Sequence, residues 1–140
     1  MQPKMTIDSD GDKFWRLPCG DLHRTDGPAI EYAHGTKKWV LHDKLHRTDG
    51  PAIIYPNGDT VWYLNGLRHR TDGPAIEYSS GIMAWYLNGE LHREDGPAFM
   101  RADGYNEWHL NGYHRSFDGW CRDTVGLTGE DIVMLKLQYG

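Results

Sequence analysis

Leu22-His23-Arg24-Thr25-Asp26-Gly27-Pro28-Ala29 is the most informative segment of this sequence, because it returns along the chain. Close copies run from Leu45 to Ala52, from Arg68 to Ala75 and from Leu91 to Ala98, and a broken copy follows from His114 to Gly119. The aspartate recurs every 23 residues, at Asp26, Asp49, Asp72, Asp95 and Asp118. A fixed period of this length is typical of a repeat protein in which each unit contacts mainly its neighbours.

The sequence between two copies of this stretch predicts one β-hairpin. Pro51–Tyr55 is a short β-branched and aromatic run, residues 56–59 carry the turn signal Pro-Asn-Gly-Asp, and Thr60–Leu64 is a second such run. Asn65-Gly66 then suits a tight reversal. We therefore predict a mostly β fold, an elongated antiparallel ribbon of four 23-residue hairpin units with a short C-terminal capping helix.

The ends of the chain deviate from the repeat, as capping units do. We divide it into an N-terminal cap with a degenerate repeat (1–21), four hairpin repeats (22–113), and a partial repeat with a helical cap (114–140). Thr128 is the predicted N-cap of that helix, because acidic residues follow it. We expect the helix to cover the last hairpin with four apolar side chains, those of Ile132, Val133, Leu135 and Leu137.

Alternation along the second strand assigns two faces to the ribbon. One face carries a constant tryptophan and leucine in each unit, as in Trp62 and Leu64, so we expect this tryptophan column to form the shared core. The opposite face changes from unit to unit, and we expect it to be exposed.

Composition limits the partners of the chain. The formal net charge of −5, with no run of basic residues, argues against a nucleic-acid partner and makes membrane binding unfavourable. No apolar stretch has the length of a membrane span, and the first ten residues lack the apolar centre of a signal peptide. Cys19 and Cys121 lie in opposite caps, too far apart for a disulfide. A reducing cytoplasm, that of the host cell if a phage encodes the protein, is the expected location.

The period and its motifs resemble the MORN repeat and its bacterial variant. The matching stretches are Trp62-Tyr63-Leu64-Asn65-Gly66 and Trp85-Tyr86-Leu87-Asn88-Gly89, with later glycines at the repeat positions. The resemblance covers about residues 11 to 119 and implies a twisted ribbon of antiparallel hairpins. Its members include scaffolds and bacterial antitoxin or immunity-like proteins. The His-Arg-x-Asp-Gly-Pro-Ala segment departs from the usual unit and looks like small proteins of bacteriophages and bacteria.

Histidine, arginine and aspartate recur at fixed places in the motif and form the most conspicuous candidate site. Histidine with carboxylate can bind a metal ion, but neighbouring units would hold equivalent residues roughly 10 Å apart. A residue that is present in every unit is better explained by a structural requirement common to all units. We therefore assign these columns to turns and ladders, and we predict no metal or other cofactor. The assigned residues are His23, Arg24, Asp26, His46, Arg47, Asp49, His69, Arg70, Asp72, His92, Arg93 and Asp95.

The positions that differ between units are the candidate binding surface. Tyr63 and Tyr86 are adjacent in this pattern, and tyrosine and methionine are favoured at binding surfaces. The alternative is that both tyrosines fill a second packing layer. The predicted partner-binding set is Tyr63, Tyr86, His109, Val40, Glu31, Ile54, Glu77 and Met100.

The sequence points to a protein that is not an enzyme, since no serine or cysteine lies in a nucleophile motif. We expect a protein-binding repeat module, a phage or bacterial accessory protein that inhibits or neutralises a host or toxin protein. One alternative is a small-ligand sponge that stacks a nucleotide base on tyrosine and holds its phosphate with Arg68 or Arg70. Another is a structural or homo-oligomerising component of a virion or assembly.

Overall fold

A computed structural model describes residues 2–140 and confirms the predicted fold class. Eleven strands form one open antiparallel sheet of consecutive hairpins, in the order β1-β2-β3-β4-β7-β8-β11-β12-β15-β16-β17. These strands are β1 Lys4–Ile7, β2 Lys13–Arg16, β3 Ile30–Glu31, β4 Lys37–Lys38, β7 Ile53–Ile54, β8 Thr60–Val61, β11 Ile76–Glu77, β12 Met83–Ala84, β15 Phe99–Met100, β16 Asn106–Leu110 and β17 Tyr113–Arg115.

A second row of short hairpins continues from this sheet, which the sequence did not predict. The expected strand Thr60–Leu64 is divided at Trp62: its first two residues pair in the main sheet, and Tyr63–Leu64 pairs with the residues that follow the Asn65-Gly66 turn. Both turn residues have positive φ, 50° and 82°, as a type I′ hairpin requires. The short hairpins are β5 Val40–Leu41 with β6 Lys44–Leu45, β9 Tyr63–Leu64 with β10 Leu67–Arg68, and β13 Tyr86–Leu87 with β14 Glu90–Leu91.

Backbone hydrogen bonds join each short hairpin to the next. The N–H of Arg47 donates to the carbonyl of Tyr63 over 3.1 Å, and the N–H of Gly66 donates to the carbonyl of Leu45 over 2.8 Å. Equivalent bonds link the later units, so the short hairpins form a row alongside the main sheet. Each repeat unit thus contributes one hairpin to each row.

The interior of the ribbon lies on the side opposite the tryptophans. Ile53, Val61, Ile76 and Ala84 of the main sheet form a buried cluster, and the side chains of Leu45, Tyr63, Tyr86 and Leu91 from the short hairpins pack against it. The expectation that this side is exposed is therefore wrong. The expected tryptophan core holds only for Trp108, which is buried, whereas Trp39, Trp62 and Trp85 are half-buried. Alternation identified two faces, but it could not show that the strand is interrupted at Trp39, Trp62 and Trp85, where the chain passes into a short hairpin that packs against the buried side.

The N-terminal end carries a partial unit: β1 and β2 form its hairpin in the main sheet, and its second row is reduced to a bridge between Arg16 and Leu22. Strand β2 pairs with β3 and places Trp15 opposite the buried Ala29, where later units have their own tryptophan. Its register differs because Trp15 precedes His23 by eight residues, whereas Trp39 precedes His46 by seven, and the turn at Pro18–Gly20 accommodates the extra residue. Strand β1, which we did not predict, pairs with β2 and forms the exposed edge of the sheet.

Two helices, α1 Phe117–Asp123 and α2 Gly129–Tyr139, cover the other end. Thr128 is the N-cap of α2 and forms a capping box with Asp131, as the sequence predicted in part. Trp108 of β16 contacts Trp120 of α1, with ring centroids 4.7 Å apart. Only part of the predicted cover is correct: Leu135 is buried, whereas Val133 and Leu137 are exposed. The aromatic rings of α1 take their place.

No helix within residues 2–140 has both the length and the apolar character needed to cross a membrane.

Candidate partner-binding surfaces

The motif places an arginine between a tryptophan and an aspartate in every complete unit. In one unit, Cζ of Arg47 lies 3.8 Å from the centre of the Trp39 ring, and Nε donates to Oδ1 of Asp49 over 2.9 Å. Stacking of a guanidinium on tryptophan is favourable, and its planar fork remains free to bond in its own plane. The other stacked pairs are Arg24 with Trp15, Arg70 with Trp62 and Arg93 with Trp85, at 4.0, 4.1 and 3.8 Å.

The proline and glycine of the motif belong to the same arrangement. Nη1 of Arg47 donates to the carbonyl oxygen of Pro51 over 3.1 Å, which fixes the loop between them. A Cβ atom added at Gly50 would lie 2.8 Å from Cζ of Arg47, although the φ of this glycine is ordinary. Glycine is needed here because the guanidinium is already held on Trp39 and leaves no room for a side chain. The motif is therefore a loop closed by its own arginine.

Arginine also determines the ionisation of the motif aspartates. A hydrogen bond from Arg47 and, second, its positive charge hold the pKa of Asp49 below the usual range, and the same causes lower the pKa values of Asp26 and Asp72. These carboxylates are largely exposed, so solvent screens the attraction. They hold the loops in place and stay charged.

The motif histidines support the turn of the following unit. Nδ1 of His46 accepts a hydrogen bond from the N–H of Asn65 over 3.0 Å, and Nδ1 of His69 accepts one from Asn88 over the same distance. His92 does the same for Asn111, and His23 for His42. Within residues 2–140, no group of three or more histidine, cysteine, aspartate or glutamate side chains could hold a metal ion.

Three similar clefts lie between successive motif loops on the tryptophan side. Their volumes are about 600, 380 and 570 Å³. The first has Trp39 and Leu41 between the loop residues 24–28 and 46–49, and the next two repeat this lining one and two units along the chain. The clefts follow the period of the repeat.

Four tyrosines surround one arginine on the side of the ribbon opposite the tryptophans. Tyr63, Tyr78 and Tyr86 pack against the same buried cluster, and the guanidinium of Arg68 lies 5.4 Å from the Tyr86 ring. Tyr55 is 37% exposed, and its pKa is raised first by partial burial and then by Tyr78 and Tyr63. We call Tyr55, Tyr63, Tyr78, Tyr86 and Arg68 the tyrosine surface.

The predicted partner-binding residues do not share one surface. Tyr63 and Tyr86 are half-buried and pack against the core, as the alternative made from the sequence expected, and their role in binding a partner stays a prediction. Val40 and His109 are only 4% and 8% exposed, so the expectation that they face solvent is wrong.

The other four predicted residues occupy equivalent positions, three of them beside the motif arginines. Oε1 of Glu77 accepts a hydrogen bond from Nη1 of Arg70 over 2.9 Å, Oε1 of Glu31 lies 3.8 Å from Nη1 of Arg24, and Arg93 donates to Sδ of Met100. Ile54 is the corresponding residue of the second unit and is half-buried. The expected common surface with the tyrosines is therefore wrong for Glu31, Glu77 and Met100.

Tyr55, Tyr78 and Arg68 were absent from the predicted partner-binding set. Arg68 could have been found by comparing units, because it stands where two other units have Leu45 and Leu91. Tyr55 and Tyr78 share one repeat position, so a comparison of units does not find them, and only the contact between the two rows brings them close to Tyr63.

No protein-family model matches this chain, and no curated protein matches it at a significant level.

Proposed function

We propose that this chain is a non-catalytic protein-binding module of the MORN-like kind, which holds a partner protein on its tyrosine surface. The observation that carries the proposal is the grouping of four tyrosines with Arg68. Of these five residues, Tyr63, Tyr86 and Arg68 stand at positions where the units differ. Tyrosine and arginine are the residues that most often dominate binding energy at protein interfaces. A half-buried tyrosine is also already ordered, so it loses little side-chain entropy when a partner binds.

The bonds of the motif support the assignment to a module that is not an enzyme. Its histidines accept backbone hydrogen bonds, and its aspartates accept from arginine, so these polar groups already have structural partners. The acidic net charge of −5 favours a partner with a basic surface.

The setting that we propose is bacterial or phage-encoded. In it the module would act in the cytoplasm and neutralise a host or toxin protein by covering part of its surface. This step extends the resemblance to MORN-like antitoxin and immunity proteins, and a shared fold does not by itself determine function.

Affinity capture from bacterial lysate with matched variants tests the proposal. Arg68→Glu reverses the charge at the centre of the tyrosine surface, and Tyr55→Ala removes its most exposed ring. We expect both variants to lose the protein that the unmodified chain retains, while their melting temperatures stay within a few degrees. Leu137→Ala, which removes an exposed apolar side chain on α2, is the control and should retain it. Retention by all three variants would contradict the proposal.

The placement of Arg68 over Tyr86 supports a second candidate, a small-ligand sponge for nucleotides. A base could stack on a tyrosine while the guanidinium holds a phosphate. A thermal-shift series with common nucleotides separates the two candidates. A rise in melting temperature that Arg68→Glu abolishes would favour the sponge, and no rise with any nucleotide would exclude it.

A further inference from the structure

The three clefts on the tryptophan side repeat a single geometry with the spacing of the units. Their walls are the exposed loop tips, which we call ridges: residues 25–26, 48–49, 71–72 and 94–95. One unit adds two strands to the main sheet, so successive clefts are about 9.6 Å apart at a strand spacing of about 4.8 Å. A ligand that follows the row must present an equivalent group at this interval.

The chemistry of the clefts is the same from one to the next. Tryptophan and leucine provide apolar contact area, as with Trp62 and Leu64 in the second cleft. The motif arginines also line the clefts, and the Nη2 group of each donates no hydrogen bond to another residue within 2–140, since Nε and Nη1 make the bonds of the loop. These Nη2 groups are donors available to a carbonyl oxygen.

Charge in the clefts is nearly balanced. The second cleft is lined by Arg47 and Arg70 and by Asp49 and Asp72, so its formal charges cancel. The first cleft has the same balance, and Glu94 adds one negative charge to the third. A polyanion or polycation would therefore gain little, and a neutral chain with apolar side chains and free carbonyl groups is favoured.

We propose that the row of clefts binds a peptide in the polyproline II conformation, with one apolar side chain entering each cleft. This helix has three residues per turn and rises about 3.1 Å per residue, so equivalent side chains recur every 9.3 Å or so. That interval matches the spacing of the clefts. An extended β-strand does not match, because its side chains return to the same face about every 6.6 Å.

The backbone of such a peptide would add hydrogen bonds to the apolar contacts made by its side chains. Polyproline II has no internal hydrogen bonds, so its carbonyl groups are free to accept from the arginine Nη2 groups. Proline-rich peptides are bound in grooves lined by aromatic side chains because they lose little conformational entropy on binding. This site is separate from the tyrosine surface and does not depend on the function proposed for it.

Binding of a labelled peptide with leucine at every third position and proline between tests the proposal. About fifteen residues, as in (Leu-Pro-Pro)₅, span all three clefts at about 3.1 Å per residue. The comparison peptide has the same composition in scrambled order. We expect the periodic peptide to bind about tenfold more tightly or better, as measured by fluorescence polarisation, because only its leucines can occupy all clefts together.

Two variants identify the site of binding. Thr48→Arg and Thr71→Arg place a long side chain on ridges between clefts, and both should weaken binding by about tenfold or more. Ser80→Arg makes the same change at an exposed turn outside the cleft lining and should bind as the unmodified chain does. The melting temperature of each variant shows whether it is folded.

Indole resonances provide an independent readout. The periodic peptide should shift the indole signals of Trp39, Trp62 and Trp85, and leave that of Trp120, whose Nε1 donates to the carbonyl of Arg93, unchanged. Equal binding of both peptides, or unchanged binding by the two ridge variants, would overturn the proposal. So would a neutral oligosaccharide that shifts the three indoles when the peptide does not.

Discussion

The arginine of the motif has more bonding partners than any other repeated side chain. Arg47 stacks on Trp39 and donates to Asp49 and Pro51, so one side chain links the strand, the loop and the next strand. The sequence assigned the repeated arginine and aspartate to structural roles in turns and ladders. It could not show that the third partner is a tryptophan eight residues earlier, because that contact depends on the bend of the chain.

Replacement of Arg47 by lysine tests this linkage. Lysine keeps the charge but cannot stack a planar group on Trp39 while donating to two oxygens, so we expect a loss of about 2 kcal/mol in the free energy of unfolding. Urea denaturation measures it. Arg122→Lys, at a largely exposed helix position, is the matched control and should change stability by less than about 0.5 kcal/mol. An equal effect of the two variants would show that charge alone matters.

Acid should weaken the same loops. The pKa values of Asp26, Asp49 and Asp72 are lower in the folded chain than in the unfolded one, so these groups stabilise the fold above the unfolded pKa of about 3.9. That contribution is lost as the pH falls from there through the lower folded values. Melting temperature against pH should therefore decline below about pH 4.

Replacing these three aspartates by asparagine provides the comparison for the acid experiment. The triple variant should be less stable at neutral pH and should lose less stability between about pH 5 and pH 2, because it no longer has these carboxylates to protonate. Curves of the same steepness for both proteins would mean that other carboxylates govern acid unfolding.

Among the secondary-structure elements, the hairpin of each unit was predictable from the sequence. The division of its second strand at the tryptophan, between the main sheet and a short hairpin, was not. Turn residues and β-branched runs located both strands of the main sheet, and Asn65-Gly66 indicated the second reversal. Nothing in the local sequence distinguishes Trp62 from an ordinary strand residue, since the bend there depends on contact between two rows of hairpins. The assignment of the core to the tryptophan side failed for the same reason.

The C-terminal helix was predictable from its cap, whereas α1 was not. The sequence from His114 to Gly119 looks like a broken motif, but Ser116 caps a helix whose Trp120 is fully buried. In the complete units an arginine stacks on the tryptophan; at the last one Phe117 and Trp120 contact Trp108. The broken motif is thus the point at which the repeat changes into its cap.

Trp120 should therefore be the most sensitive position of the cap. Trp120→Ala removes the contact with Trp108 and the hydrogen bond from Nε1 to the Arg93 carbonyl, and we expect it to cost about 3 to 5 kcal/mol. Trp120→Phe keeps an aromatic ring and should cost less. Val125→Ala, at a position that is 94% exposed, is the control for loss of apolar volume. Thermal unfolding of the three variants in parallel measures the differences.

The whole molecule is an array in which neighbouring units make the same contacts. The repeated Arg–Trp stacks, the histidine bonds to the following turn and the paired hairpins all act between adjacent units or within one. In such an array, stability is approximately a sum over units and their interfaces. The clefts arise where the units agree. The tyrosine surface combines the repeated Tyr55 and Tyr78 with Arg68 and other residues at positions where the units differ.

The period was therefore the most reliable information in the sequence, and the surfaces were the least. A spacing of 23 residues determines the array whichever way the chain bends. Which of Tyr63, Glu77 and Val40 faces solvent depends on that bend, so it could be assigned only from the structure.

Deletion of one unit is the most direct test of this account. Removal of residues 46–68 joins Leu45 to His69, the equivalent of His46, and keeps both caps. We predict a shortened chain that unfolds cooperatively in urea, with an m-value lower by roughly a sixth, because m scales with the surface exposed on unfolding. A deletion of about twenty residues within the same segment, which breaks the period, should not fold. If the 23-residue deletion unfolds or aggregates as readily as the out-of-period one, the unit is not the one described and the central claim is wrong.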